Sequence, residues 1–269
     1  MTHRLYRRSP FVGRATFASA ALVILTPAYQ LPAVVMTIDG PYVACWALAA
    51  WMLTIAFMPT DDSDDKPSSR ARTLALLGFA LALGAGFLYK YTILLMLPGL
   101  VGFLIAHRRS TPKPSPVALL GTLLIALASL APVLIWNAQN DWVTVKHLAG
   151  HLGLAWGDQP LEAQTGGAGW RYNPGWTLEL IGTQLGIAGL TIVLGVLGIR
   201  HCRRSTDTGT PTRVGESLML WLALPILAFY LLVTLATDAE TNWPIAGYIT
   251  LIPIAGRLIA EATYRPRLT

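Results

Sequence analysis

The sequence predicts an all-α, polytopic integral membrane protein of about eight helical spans. Two observations carry this prediction. First, 54% of the 269 residues are hydrophobic and only 13% are charged, whereas a soluble domain carries about 25% charged residues. Second, the apolar residues are gathered in runs of roughly twenty, which is the length of an α-helix that crosses the hydrocarbon core. Helices are expected because lipid offers the backbone no hydrogen-bond partners.

Each apolar run predicts one span of a single transmembrane domain covering residues 1–269. The first run follows a basic stretch, is longer than the apolar core of a signal peptide and precedes no convincing cleavage site, so it predicts an uncleaved span. The third and fourth runs are short and meet at Lys90, so they could be two tight crossings or a hairpin that only dips into the bilayer. The predicted spans are 15–36, 41–58, 73–89, 91–106, 116–136, 177–199, 216–236 and 245–262, with a long outer loop at 137–176.

The basic residues fall almost entirely on one side of these spans. Of the 20 Lys and Arg residues, 17 lie in the terminal segments and alternate loops, whereas Lys90, Lys146 and Arg171 lie on the other side. Because basic loops remain in the cytoplasm, both termini are predicted to be cytoplasmic. The net charge of +6 is thereby explained by loops that flank a membrane, and nucleic acid is not expected as a partner.

The outer loop 137–176 is too long for a simple connection. From Trp142 onward its apolar residues recur at helical spacing, with Lys146, His147 and His151 on the opposite face, which predicts an amphipathic helix along the membrane surface. The two histidines are four residues apart and could bind a metal, but no third ligand is obvious nearby. Solvated histidines are the default, and no metal or other cofactor is predicted.

Four polar clusters lie where predicted spans meet the outer face, and no comparable cluster stands out on the inner face. Their positions indicate that any chemistry takes place at the outer surface. The clusters are 37–41, 90–92, 136–142 and 240–244.

Asp39 and Lys90 are the charged residues of the first two clusters. Asp39 can cap the following helix, since Asp is a preferred N-cap and Pro41 suits a first turn. Alternatively, a carboxylate at the mouth of a helical bundle can act as a general base toward a hydroxyl acceptor, or orient it. Lys90 is the only charge between residues 73 and 106, and ionisable groups at membrane depth usually mark a site. It can snorkel to the headgroups or bind a phosphate.

Tryptophan is concentrated on the outer side, where an interfacial aromatic belt explains most of it. Asn242 and Trp243, at the start of the last span, are less easily explained in this way, because Asn offers both donor and acceptor groups at the bilayer surface. Helix capping is the alternative for Asn242. The outer tryptophans are Trp136, Trp142, Trp156, Trp170, Trp176 and Trp243.

Four motifs, taken in their order along the chain, resemble one bacterial family. The resemblance is to the glycosyltransferase family 39-like membrane proteins, relatives of dolichyl-phosphate-mannose protein mannosyltransferases and of lipid A aminoarabinose transferases. It extends from about Arg14 to Tyr248, and 175–180 with 184–186 also resembles a family stretch. The motifs are Asp39-Gly40-Pro41, Lys90-Tyr91-Thr92, Trp136-Asn137-Ala138-Gln139-Asn140-Asp141-Trp142 and Asn242-Trp243-Pro244.

This resemblance implies a GT-C-like helical bundle in the bacterial inner membrane. It implies inverting transfer of a sugar from a polyprenyl-phosphate donor to a lipid, glycan or protein acceptor on the periplasmic or extracellular face. Such a reaction needs a base for the acceptor hydroxyl and positive charge for the departing phosphate. Asp39 matches the acidic position of the family's second outer loop and is the expected catalytic carboxylate. Lys90, assisted by Lys146 or Arg171, is expected to bind the phosphate. The expected substrate pocket contains Tyr91, Asn137, Asp141, Trp142, Asn242 and Trp243.

The sequence departs from the family pattern at one point. Family members usually begin with an additional span and an outer loop that carries an acidic pair, commonly Asp-Glu. No Asp-Glu pair occurs here, and Asp238 with Glu240 lies too far along the chain to match that motif. The chain is therefore expected to lack that span and loop. A non-catalytic remnant that binds polyprenyl lipid or a partner protein is the first alternative. A transporter is less favoured, because the polar groups lie at the surface and no convincing repeat is found.

Overall fold

The computed structural model describes residues 1–59, 67–151, 172–204 and 210–264. Within these ranges the regular structure is helical and contains no β-strand, which confirms the all-α prediction. The helices are α1 (Thr2–Tyr6), α2 (Val12–Leu25), α3 (Pro27–Val35), α4 (Asp39–Phe57), α5 (Ser69–Tyr89), α6 (Met96–Ala106), α7 (Pro116–Gln139), α8 (Val143–His151), α9 (Pro174–Arg204), α10 (Thr210–Val233), α11 (Ile245–Ile249) and α12 (Ile252–Thr263), and a 3₁₀ turn (Tyr91–Leu95) precedes α6.

The number of candidate membrane crossings in the described chain is six or seven. Helices α4, α5, α7, α9 and α10 are each long and apolar enough to cross a bilayer, as is the continuous stretch of α11 and α12. The seventh crossing is the pair of α2 and α3, which is bent by 56°. The bend lies at Thr26, whose extended backbone precedes Pro27, because a residue before proline disfavours the helical conformation. The predicted span 15–36 is thus a broken one.

The sequence predicted eight spans, one more than the largest number of candidate crossings, and the additional one is 91–106. Lys90 has an extended backbone (φ −147°, ψ 128°) that ends α5. The following segment, Tyr91–Ala106, is one 3₁₀ turn and an 11-residue helix. This apolar segment is shorter than the roughly twenty residues that a perpendicular crossing requires. Of the two short predicted spans, 73–89 and 91–106, only 73–89 therefore belongs to a helix, α5, that is long enough for a complete crossing.

The core is built around α4. Trp46, Ala49, Ala50 and Leu53 on this helix are completely buried, and α5 packs alongside it. Small residues allow close helix approach in a membrane protein; a methyl group at Gly84 of α5, for example, would overlap a side-chain atom of α7. The opposite surface of α7 exposes a row of leucines, as expected for a helix that faces lipid.

The predicted outer clusters and inner basic segments lie at opposite ends of α4. This helix has 19 residues and is therefore roughly 28 Å long. Asp39 is at its beginning. At the other end, Arg4 Nε donates to the carbonyl of Thr54 at 3.3 Å, and Arg72 donates to the carbonyl of Ala56 at 2.7 Å. This separation is the one that the charge pattern predicted.

A buried polar network ties α1 to the helices α10 and α12. Arg257, only 2% exposed, donates to Glu216 and to Glu261, each at 2.7 Å. The Tyr6 hydroxyl donates to the same Glu216 oxygen at 3.0 Å. Burial, reinforced by the Glu216 carboxylate, holds the pKa of Tyr6 well above its usual range, so this hydroxyl remains a donor. The short N-terminal helix is thereby fixed to α10 and α12.

Candidate active site

Asp39 opens α4 and is only 1% exposed. The chain leaves α3 through Met36, which has a left-handed backbone (φ 53°), and turns into α4 over two residues. The N-cap of α4 is Ile38, so Asp39 does not take the N-cap position that the sequence allowed. As the first residue of the helix it still benefits from the partial positive charge of the helix N-terminus.

Three of the four predicted outer clusters meet at this carboxylate. One oxygen of Asp39 forms an ion pair with the Lys90 ammonium. The other oxygen accepts a hydrogen bond from the Asn242 amide at 2.6 Å and one from the Thr37 hydroxyl at 3.3 Å. Residues 39 and 242 are 203 positions apart in the chain. The structure therefore brings together Asp39, Lys90 and Asn242, as a common site requires.

Lys90 is turned into the protein. Its side chain is 13% exposed and pairs with Asp39. Its Nζ lies 5.8 Å from the centre of the Tyr42 ring, within the range of a cation–π contact. Removing either Asp39 or Lys90 would leave the other residue as an uncompensated buried charge.

Two tyrosines that were not among the predicted site residues, Tyr42 and Tyr230, are joined near Lys90 by the hydroxyl of Thr92. The Thr92 hydroxyl bonds to the hydroxyls of Tyr42 at 3.1 Å and of Tyr230 at 3.2 Å. The ring of Trp243 packs against Tyr230 with 5.4 Å between centroids. Tyr42 could have been found, because it follows Asp39 by three residues and so lies on the same helix face. Tyr230 has no sequence signal, since its position depends on how α10 packs.

A second cluster joins the outer helix α8 to the turn after Lys90. Tyr91 and Thr144 share a hydrogen bond of 2.7 Å, and Asn137 donates to the Tyr91 hydroxyl at 3.3 Å. The Thr144 hydroxyl also donates to the Asn137 side-chain oxygen. Asn137 is 1% exposed, and Tyr91 stacks on Phe87 with 4.6 Å between centroids. Tyr91 and Asn137 therefore hold α7, α8 and the 3₁₀ turn together.

The remaining predicted site residues lie apart from Asp39 or beyond the described chain. Lys146 pairs with Asp141 at 2.5 Å, with 36% and 90% of their side chains exposed. Asp141 and Trp142 have left-handed backbones (φ 54° and 55°) and link α7 to α8. Arg171 lies outside the described residues, so its expected contact with a phosphate has no structural counterpart. Among the described residues no group of three or more His, Cys, Asp or Glu side chains could hold a metal ion.

Two adjoining cavities border Asp39. The smaller, of about 260 Å³, is also lined by Glu240, Thr241 and Asn242. The larger, of about 700 Å³, is an apolar groove between α4 and the bent pair of α2 and α3, and Thr37 with Asp39 forms its polar wall. Lys90 lines neither of them. The carboxylate of Asp39 therefore stands between the lysine and both cavities, which share the wall residues Ala28, Pro32, Thr37 and Asp39.

Comparisons with known proteins agree with the motifs. A family model described as dolichyl-phosphate-mannose-protein mannosyltransferase matches residues 4–136. The lipid A galacturonosyltransferase RgtD of Rhizobium johnstonii is 27% identical over 192 residues, covering 68% of this chain and 35% of the relative. The chain thus spans about a third of the length of this curated relative, and no solved structure matches it. These findings confirm the resemblance that the motifs indicated, which is to the glycosyltransferase family 39-like membrane proteins.

Proposed function

We propose that this protein transfers a sugar from a polyprenyl-phosphate donor to a hydroxyl of a lipid, glycan or protein acceptor of the cell envelope. The reaction takes place at the periplasmic face of the bacterial inner membrane, with both termini in the cytoplasm, and inverts the anomeric carbon. One observation carries the proposal. A buried Asp39–Lys90 ion pair lies at the first turn of α4, and Asp39 also lines an apolar groove.

The groove suits the isoprenoid part of the donor. Its walls include Val23, Tyr29, Val43 and Ala47, and its volume is about 700 Å³. Ligand sites of this size are mostly apolar with a few polar groups that fix orientation. A donor whose isoprenoid chain occupies the groove presents its phosphate at the polar wall beside Asp39.

Lys90 supplies the positive charge for the phosphate. An ammonium group has three N–H donors, and the pairing with Asp39 uses only part of this capacity. Lys90 does not line the groove, so its ammonium acts through space on a phosphate beside Asp39, as the next charge beyond the carboxylate. As the bond between sugar and phosphate breaks, negative charge grows on the phosphate, and a cation fixed in advance stabilises it. Asp39 keeps Lys90 in place and, with Asn242, orients the groups that meet at the site.

The sugar and the acceptor are proposed only as classes. The family description names mannose carried on dolichyl phosphate, and the relative's name gives galacturonic acid as the sugar and lipid A as the acceptor. These names define a short panel of substrates for this chain, to which aminoarabinose is added from the motif resemblance.

Transfer by the purified full chain tests the proposal directly. The protein is incubated with undecaprenyl phosphate that carries mannose, galacturonic acid or aminoarabinose, with lipid A as acceptor, and glycosylated lipid A is measured by mass spectrometry. Lys90→Ala and Asp39→Asn should lower the rate by about 10²–10³. Lys113→Ala, which removes an exposed cation from the predicted inner side, should not. Equal rates for wild type and Lys90→Ala would refute the assigned role.

The apolar groove also favours a second function, binding of polyprenyl phosphate without turnover. Both oxygens of Asp39 are already engaged, as expected of a site that holds a ligand but does no acid–base chemistry. Tight binding of undecaprenyl phosphate combined with no transfer from any donor of the panel would support this alternative and contradict the enzyme.

A further inference from the structure

We propose that Glu240 is the group that accepts the proton of the acceptor hydroxyl, an inference that rests on the sugar transfer proposed above. Glu240 and Asp39 are the two carboxylates that line the 260 Å³ cavity. Only one of them is in a suitable state to act as a base.

Asp39 is committed to Lys90. Its oxygens are occupied by the lysine on one side and by Asn242 and Thr37 on the other. Taking up a proton would neutralise the carboxylate and leave a buried ammonium without its counter-charge, which is strongly unfavourable. A residue that fixes the cation for the phosphate therefore performs poorly as the base in the same turnover.

Glu240 has the opposite properties. The residue is exposed, and among the described residues its carboxylate has neither a hydrogen-bond nor an ion-pair partner. An ionised carboxylate is purely an acceptor, so both oxygens are available to a hydroxyl group in the cavity. Its position is fixed by a turn in which the Trp243 amide donates to the Glu240 carbonyl at 3.1 Å. The same turn places Asn242 against Asp39.

Two adjoining cavities can hold the two substrates of an inverting displacement. In such a reaction the base activates the attacking oxygen on the face of the sugar opposite to the leaving group. A donor in the apolar groove and an acceptor in the smaller cavity would meet at Asp39, because this residue lies in the shared wall. Of the two cavities, Glu240 lines only the smaller one. This is the cavity proposed for the acceptor, where a base is needed.

The chemical step is balanced with these groups. The acceptor O–H bond breaks, and its proton passes to the Glu240 carboxylate. The acceptor oxygen forms a bond to the anomeric carbon while the bond from that carbon to the phosphate oxygen breaks. The electron pair of that bond leaves with the polyprenyl phosphate, whose second negative charge is stabilised by Lys90. Glu240 then returns the proton to water at the outer face.

Substitutions at position 240, with a neighbouring carboxylate as control, test the inference. Glu240→Gln should lower kcat by about 10²–10⁴, the contribution of general base catalysis, with little change in the KM for the donor. Glu240→Ala should be equally slow but should regain activity with added formate, because a small carboxylate can occupy the vacated space. Asp238→Asn should behave as wild type, since Asp238 lies in the same segment but does not line the cavity. All variants should melt as the wild type does, because the Glu240 side chain is exposed.

The outcomes separate this inference from the proposed function. If the wild type transfers sugar and Glu240→Gln retains a rate within threefold of it, the role of Glu240 is overturned and the proposed function stands. Failure of formate to restore Glu240→Ala overturns the base assignment as well. If the wild type transfers no sugar from any donor of the panel, both proposals are overturned together.

Discussion

The Asp39–Lys90 pair should be strongly coupled, because both side chains are largely buried. Lys90→Met removes the ammonium and leaves a carboxylate of which only 2% is exposed. Asp39→Asn leaves the Lys90 ammonium, which is 13% exposed. The side-chain oxygen of the introduced asparagine can still accept a hydrogen bond from Asn242. Removing one partner of a buried pair costs about 3–5 kcal/mol, because the surviving charge is uncompensated, whereas replacing both partners by neutral groups is often close to neutral.

These energies predict a distinctive pattern of melting temperatures. One kcal/mol shifts the midpoint of a domain of 150–250 residues by about 2–4 °C, so each single variant should melt roughly 6–20 °C below wild type. The double variant Asp39→Asn/Lys90→Met should recover most of this loss, with a coupling energy above about 2 kcal/mol.

The assay is thermal unfolding of the purified protein in one detergent at a fixed heating rate, followed by tryptophan fluorescence. Lys146→Met is the matched control: it breaks the pair with Asp141, whose carboxylate is 90% exposed, and exposed pairs contribute less than about 1 kcal/mol. A Lys90→Met midpoint equal to that of Lys146→Met would refute the reasoning. So would a double variant whose loss equals the sum of the two single losses.

Three further predictions concern other parts of the molecule. Tyr6→Phe removes the 3.0 Å hydrogen bond to the Glu216 carboxylate and should cost about 1.5–3 kcal/mol, measured as a midpoint lowered by about 3–12 °C; an unchanged midpoint would argue against that bond. Thr144→Val removes the hydroxyl that joins α8 to Asn137, so hydrogen exchange should quicken in α8 but not in α4, and uniform exchange would contradict this link. For the reaction the donor sugar must reach the acceptor at the smaller cavity, which two carboxylates line. Aminoarabinose should therefore be transferred at least about tenfold faster than galacturonic acid, since like charges in contact are unfavourable; comparison of kcat/KM within the panel tests the order.

The architecture was largely predictable because bilayer thickness fixes how long an apolar helix must be. The exceptions are local. The run 15–36 contains Pro27, but whether a proline breaks a span depends on the groups that satisfy the freed backbone. Here the Thr26 hydroxyl bonds to the carbonyl of Leu22 at 2.6 Å and to the hydroxyl of Thr191 on α9 at 2.8 Å. The contact with Thr191 depends on how the helices pack, and the hydrophobic pattern of a single segment gives no information on that packing.

The residues of the candidate site were predictable only where a polar side chain was rare among apolar neighbours in the sequence. Asp39, Lys90 and Asn242 are polar groups in apolar surroundings, so their meeting point followed from chemistry. Lys146 was also a scarce outer cation, yet it pairs with Asp141 five residues before it, because a local partner on the same surface needs no folding to be reached. Glu240 was set aside because the family's acidic pair stands at a different place in the chain. Order along the chain does not determine which side chains line one cavity.

The division of roles between the two carboxylates follows from the cost of the ion pair. A buried pair is weak support for stability, since apolar residues of similar volume often serve as well or better. A chain that only held a polyprenyl tail would gain more from an apolar contact at positions 39 and 90 than from opposite charges. An ion pair is useful at this place if a second anion arrives there, because the lysine is then already oriented when the phosphate departs. The same reasoning requires the proton to go elsewhere, and Glu240 is the carboxylate of the described cavity whose oxygens are not already engaged.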